Sequence, residues 1–425
     1  MTARAIFLVL LGILGAPCTQ GQTGRVVELR SADELKVRTV GGEEVRDFIG
    51  NVHFVQPAAE GGMIRLWCDR AQQYITQERI ELFGNVRIRK DSLTLLGSLG
   101  TYFNNTRRAR MVEGVRLERP GTVLLAREGD YSTDARRAHF RTEVVVVDSV
   151  SKTYCDELTY FEEEDRSIAV GNVRIESQTD AVTVFGDSLV HFGRIDYTLV
   201  PKNPKLLQID TTSSGVVDTL VVISRTMEAY RDSTQRYVAR DSVMLVRTDL
   251  AGRCGFAVYR PAEGLAVLMR NPVVWYGENQ VTGDSIAVRL EDRKLRSVYV
   301  QGRAMAVSRS DTIRRERFDQ LTGRELTLYF RGGNIERIEA VRNAISLYYL
   351  FDKTDPNGIN KSSGDRIFVD FTDGEVENIH VVGGVEGQYM PETMIANRER
   401  LFNLDGFRWH ADKPKRRGTE IIADP

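Results

Sequence analysis

Two stretches of the sequence carry the letters of a catalytic nucleophile. Gly186-Asp187-Ser188-Leu189 spells the motif of a GDSL-type esterase, and Ser149-x-x-Lys152 has the spacing of a β-lactamase-like pair. A serine hydrolase also needs a histidine base placed by a carboxylate. The usual Asp-x-x-His is missing: Glu377 stands three residues before His380, and Phe407 three before His410. The first motif also recurs as Gly283-Asp284-Ser285-Ile286. A structural slot that repeats explains both copies. Four cysteines (Cys18, Cys68, Cys155, Cys254) and five scattered histidines show neither a disulfide framework nor metal-ligand spacing. No catalytic set, metal site or cofactor is expected.

Composition narrows the partners. Lys and Arg number 58 against 59 Asp and Glu, which excludes a generally basic nucleic-acid binder. The 42% hydrophobic and 28% charged content suits a folded chain. Only ten of the 58 basic residues are Lys. Coding bias is the plain reading of that excess of Arg; bidentate contact with phosphate or carboxylate is the sharper one.

The N-terminus reads as an export signal over residues 1–21. Arg4 is a basic flank, Ala5 to Leu14 an apolar run too short to span a bilayer comfortably, and small residues follow. Cleavage after Cys18 or after Gly21 fits. Lipidation of Cys18 is disfavoured by Pro17. No later segment is long and apolar enough for a membrane helix, so an exported protein is expected, in the periplasm of a two-membrane bacterium, with association with the outer membrane as a further option.

The elements that hold these residues repeat. Small residues stand 29 apart at Cys68, Gly97, Ala126 and Cys155, and continue at Gly186, Ser224, Cys254, Gly283, Gly323 and Gly364; Ala32 opens the series. Downstream of each comes a Gly-Asn-Val-like turn: Gly50-Asn51-Val52, Gly84-Asn85-Val86, Gly171-Asn172-Val173, with weaker copies such as Arg270-Asn271 and Gly383-Gly384. Eleven units cover roughly residues 30 to 390. Val86 and Ile88 alternate with Arg87 and Arg89, and Val173 and Ile175 with Arg174 and Glu176, which predicts strands with one apolar and one polar face. No helix is predicted in this range. A strand that bends at the small residue has no room for a long side chain, so Cys68, Cys155 and Cys254 are predicted to be buried corner thiols. The Glu162-Glu163-Glu164-Asp165 run and the Arg107-Arg108 and Arg136-Arg137 pairs are expected at solvated hairpin turns.

Leu66-Trp67-Cys68-Asp69-Arg70-Ala71…Tyr74…Phe83-Gly84-Asn85-Val86-Arg87-Ile88 and Tyr154-Cys155-Asp156-Glu157-Leu158-Thr159-Tyr160…Gly171-Asn172-Val173-Arg174-Ile175 resemble the OstA/LptA family of lipopolysaccharide-transport proteins. Ser363-Gly364-Asp365-Arg366-Ile367 and Val382-Gly383-Gly384-Val385 look like its long OstA-like branch. The resemblance implies an all-β, elongated, slab-like β-jellyroll of stacked V-shaped antiparallel strands. It implies a periplasmic protein that binds lipopolysaccharide or lipid A, holds its acyl chains in an apolar groove and bridges the inner and outer membranes. Partners would be other OstA-like domains, joined by edge-strand addition. The inward positions are then candidates for the groove: Val52, Phe54, Leu66, Val86, Ile88, Leu95, Val173, Ile175, Val184, Val273, Ile286 and Ile367. A closed core would use the same residues. Tyr74, Tyr102, Tyr131 and Tyr160 recur at one phase, as groove-rim residues or as ordinary cross-strand packing.

The expected organisation is a signal over 1–21, a jellyroll over 22–200, its continuation over 201–390 and a tail over 391–425. The tail reads as a frayed terminus, or as a docking segment with Phe407 and Trp409 as apolar hooks. The rival functional reading is an exported β-solenoid that binds surface polysaccharide or acts as an adhesin.

Overall fold

The computed structural model describes residues 27–58, 62–179, 181–211, 217–231, 235–248, 250–291, 294–311, 313–372 and 374–422. The export segment and Cys18 lie outside them. Strands make up nearly all of the ordered elements, and every ladder pairing is antiparallel. This is the all-β class of V-shaped strands that the sequence predicts. It disfavours a solenoid, whose rungs stack in parallel. Among the described residues between 30 and 390, the helical pieces are the 3-10 turns Gly193–Ile195 and Pro261–Glu263.

The chain forms two compact units. The first comprises residues up to Arg119 plus Tyr131–Ala135; the second comprises Pro120–Asp130 and Arg136 onward. In the first unit the strands Glu43–Pro57, Met63–Tyr74, Arg79–Lys90, Leu93–Phe103 and Arg108–Arg119 pair in chain order. Each ladder shifts register near its middle, for example between Ile49 and Val52 and between Phe83 and Val86. That shift is the corner of the V. It divides each strand into a segment in a first wall and a segment in a second wall. The second unit repeats the scheme through Ser151–Phe161, Arg166–Ser177, Val182–Phe192, Arg236–Val246, Leu250–Arg260 and on to Asp355–Thr372.

The corner explains the repeat. At each Gly-Asn turn two consecutive residues have positive φ: Gly50 and Asn51 at 75° and 45°, Gly84 and Asn85 at 69° and 45°, Gly171 and Asn172 at 80° and 47°. Asn tolerates this region and Gly enters it freely. A side chain on Gly84 would also strike the carboxylate of Asp69, 2.4 Å from the Cβ position. That Asp follows the small residue of the repeat and accepts a bond from the turn Asn: Asn51 to Asp33 at 2.9 Å, Asn85 to Asp69 at 2.9 Å, Asn172 to Asp156 at 2.8 Å, Asn203 to Asp187 at 2.6 Å. At Asp284 the donor is Arg303, at 2.6 Å. The Asp of both Gly-Asp-Ser motifs is therefore a corner brace.

Cys68, Cys155 and Cys254 are free and buried, as predicted. Burial pushes their thiols up to about 12, 12 and 11. The acid run lies in the turn after Ser151–Phe161, with Glu163 and Glu164 exposed. Arg107 departs from expectation: it is 8% exposed, and its guanidinium donates to Asp134 at 3.2 Å.

Candidate functional site

Alternation along each strand puts one face of each wall inside. In the first unit the inner row of the second wall is Phe54, Leu66, Ile88, Leu95 and Leu117, each directly opposed to the next. The first wall faces it with Phe48, Ala71, Leu82, Gly100 and Met111. Phe48 meets Phe54 edge-on at 5.2 Å. The seven apolar side chains of these rows other than Ile88 and Leu117 are 3% exposed or less. One rim is closed by polar groups: the Tyr102 hydroxyl donates to Gln56, which donates to Asn104 at 2.8 Å. Tyr102, Tyr131 and Tyr160 are buried, so they pack rather than line a wet rim.

The second unit has a longer inner row in its second wall: Val146, Thr153, Ile175, Val184, Leu206, Val222, Leu245, Gly252, Val274, Val281, Ala306 and Leu321 in successive opposition. The first wall supplies Met227, Ala239, Ala257, Leu268, Ile286 and Val300. Beyond Gly252 the interior is tight: Val274, Val281, Ile286, Val300 and Leu321 share one buried cluster. From Val146 to Leu245 every member of the second-wall row is only half-buried. This half-buried stretch is the candidate for an apolar trough; its Leu206, Val222 and Leu245 pack against the same buried cluster.

The candidate groove residues divide accordingly. Val52, Val86 and Val173 sit just past the corner turns and are buried. Phe54, Leu66, Ile88 and Leu95 are in the sealed first unit. Ile286 and Ile367 are fully buried in the first wall of the second unit. Ile175 and Val184 lie in the trough. Val273 stands apart: it is on the outer face of its strand, clustered with Val246, Ala251 and Trp275. The alternation around Val273 is apolar on both faces (Val273-Val274-Trp275), so the sequence could not tell which face was inside.

The outer face at Val273 is covered by the tail, which is docked rather than frayed. Gln280 and Gln320, 0% and 2% exposed, lie in one outer row with Trp275 and Val307. The Gln280 amide donates to the Arg408 carbonyl and accepts from the His410 N–H, both at 2.8 Å. Gln320 accepts from the Leu404 N–H at 2.8 Å and donates to Asn403. The Trp275 indole donates to the His410 carbonyl at 3.2 Å. Phe407 and Trp409 stack against Phe318 at 5.2 and 5.0 Å. Buried Arg317 binds Glu392 at 2.5 Å and Glu399 at 3.2 Å. Sequence reasoning found the two aromatic hooks but not the glutamine clamps, whose partners are more than 80 residues away.

Among the described residues no His/Cys/Asp/Glu group is placed to hold a metal ion, and no helix is long and apolar enough to cross a membrane.

Comparison with known proteins gives a family match and matches among solved structures. The OstA-like protein family matches residues 25–149 and 133–214. Among solved structures, a match is LptH from Pseudomonas aeruginosa, described as the LptA-homologous periplasmic component of the lipopolysaccharide transport device. It is 14% identical, over 33% of this chain and 95% of that one, with a TM-score of 0.27. No curated protein matches.

Proposed function

The chain is OstA-like across residues 25–149 and 133–214, and from that premise we propose that it is a periplasmic carrier of lipopolysaccharide or a related acylated lipid. The observation that carries the reading is the half-buried row Val146, Thr153, Ile175, Val184, Leu206, Val222 and Leu245. An acyl chain exposed to water costs about 0.8 kcal/mol per methylene. A row of partly open rungs, apolar at every position but Thr153, accepts such a chain. The sealed interior of the first unit offers no such entry.

Bridging between membranes belongs to the same proposal. Among the described residues Glu34–Val40 pairs with Glu43–Pro57 alone, and its Leu35, Val37 and Val40 are 47–60% exposed. An exposed edge strand that alternates apolar and charged residues offers its free edge to a strand from a similar domain.

The test is photocrosslinking in cells that make lipopolysaccharide. A photoreactive residue at Ile175, Val184 or Val222 is expected to give lipid adducts detected by mass spectrometry, and one at Leu82 none. Adducts only to protein or polysaccharide at the three trough positions would sink the reading.

A further inference from the structure

On the outer faces of the walls, arginines are matched by acids two residues away on the same strand. Arg46 binds Glu44 at 2.8 Å, Arg79 binds Glu81 at 3.2 Å, Arg116 binds Glu118 at 2.6 Å and Arg174 binds Glu176 at 3.3 Å. Residues i and i+2 share a face of a strand, so the pairing is a built-in neutralisation. One of three phased copies just past the corner departs from it. The phased copies read Val115-Arg116-Leu117-Glu118, Val173-Arg174-Ile175-Glu176 and Val86-Arg87-Ile88-Arg89. Arg89 stands where the other two copies hold Glu.

The neighbours deepen the difference. In the second unit Tyr154 opposes Arg174 and Lys152 opposes Glu176. The Tyr154 ring carries both cations, Arg174 at 4.1 Å and Lys152 at 5.0 Å, and its hydroxyl donates to Glu176 at 3.2 Å. In the first unit Trp67 opposes Arg87, and Arg65 opposes Arg89. Arg87 lies 5.8 Å from the Trp67 ring, and His53 stacks on that ring at 4.8 Å, 8° from parallel. The buried Nε2 of His53 has no partner. Among the described residues, no carboxylate pairs with Arg65, Arg87 or Arg89; the Arg89 Nε reaches only the Asp91 carbonyl, at 3.4 Å.

Like charges directly opposed across strands destabilise a sheet. Here Arg65 and Arg89 face each other, with Arg87 on the diagonal near the Trp67 ring. An anion with several oxygens, taken up by planar guanidinium forks, relieves that arrangement. We propose that Arg65, Arg87 and Arg89 over Trp67 form a binding site for a phosphate group, supplied by a phosphorylated lipid headgroup or by free phosphate. The site lies on the outer face of the second wall, so it stands or falls independently of the trough.

The experiment uses the full chain, with calorimetric titration of inorganic pyrophosphate and co-sedimentation with phosphatidylcholine vesicles with and without phosphatidic acid. Arg89→Glu restores the acid found in the other copies. It is expected to weaken pyrophosphate binding about tenfold or more, to raise the anion-free melting temperature and to abolish the rise that pyrophosphate gives the parent. Arg174→Gln, at the neutralised counterpart, is expected to change none of these. Vesicle binding that needs both phosphatidic acid and Arg89 identifies a lipid headgroup as the source. Pyrophosphate binding without vesicle binding identifies free phosphate. Absence of pyrophosphate and vesicle binding by the parent at about 0.15 M salt, or equal binding by Arg89→Glu, overturns the proposal.

Discussion

In the first unit the facing rows are Phe48, Ala71, Leu82 and Met111 against Phe54, Leu66, Ile88 and Leu95, capped by Tyr102, Gln56 and Asn104. In the middle of the second unit the second-wall row is Thr153, Ile175, Val184, Leu206, Val222 and Leu245, and each is half-buried. The corners are the same in both: two left-handed residues braced by an Asp. The backbone scaffold is thus indifferent to whether its interior is a core or a trough. Side-chain volume and a polar cap decide, because an interior closes only where opposing side chains meet at van der Waals distance.

Removing volume tests that contrast most strongly. Phe54→Ala should cost about 3–5 kcal/mol in denaturant unfolding, because the lost ring leaves a cavity against Phe48. Val184→Ala, on a side chain already part-exposed, should cost less than about 1 kcal/mol. Similar losses at the two sites would erase the distinction between core and trough. Adding volume is the converse probe. Ala71→Leu should destabilise by about 1–3 kcal/mol, since Ala71 is 0% exposed. Val222→Leu should leave stability within about 0.5 kcal/mol and reduce lipid adducts at Ile175.

Two smaller effects sharpen the picture of the closed regions. Near the docked tail, Asp319 accepts bonds from the Ser310 hydroxyl at 2.6 Å and the Tyr349 N–H at 2.9 Å. Burial nevertheless pushes its carboxyl up to about 6, above the ordinary value of about 3.9 in an unfolded chain. The native state therefore holds the proton more tightly. The stability this contributes is full below about pH 4 and is lost as pH rises through about 6. Asp319→Asn keeps an acceptor oxygen, so its melting temperature should match the parent near pH 4 and exceed it at pH 8. A constant difference across that range would contradict the assignment. The smallest effect concerns the corners. Cys68 belongs to the sealed unit, while Cys155 and Cys254 flank the trough. All three should resist a thiol reagent at pH 8 until the protein is denatured. Reaction at Cys155 or Cys254 alone would show that the trough loosens its corners too.

Much of this was legible in the sequence because it is local. Strand alternation, the Gly-Asn turns and the small corner residues lie within a few positions of each other and recur in phase. The corner Asp was also in plain view: Asp33, Asp69, Asp156, Asp187, Asp284 and Asp365 each follow the small residue. It was hidden by its resemblance to an esterase motif at Asp187 and Asp284. The inside and outside of Val273-Val274-Trp275 were not legible, because both faces are apolar and only the tail explains why. The trough was not legible either, since Ile88 and Ile175 occupy the same repeat position and differ only in what meets them across the interior.

The docked tail bears on how the molecule reaches its native state. Ladder contacts join strands that are adjacent or a few elements apart in the chain, so each rung can form soon after its neighbour exists, with little loop-closure cost. The tail runs the other way. From Leu404 it returns to Gln320, from His410 to Gln280 and from Glu420 to Lys205, at separations of 84, 130 and 215 residues. It follows in the chain the rungs that it grips. A second unit with one rung too many, or one slipped strand, would carry Gln280 and Gln320 out of step with the tail. Docking of the segment therefore depends on the register of every rung between Lys205 and Gln320.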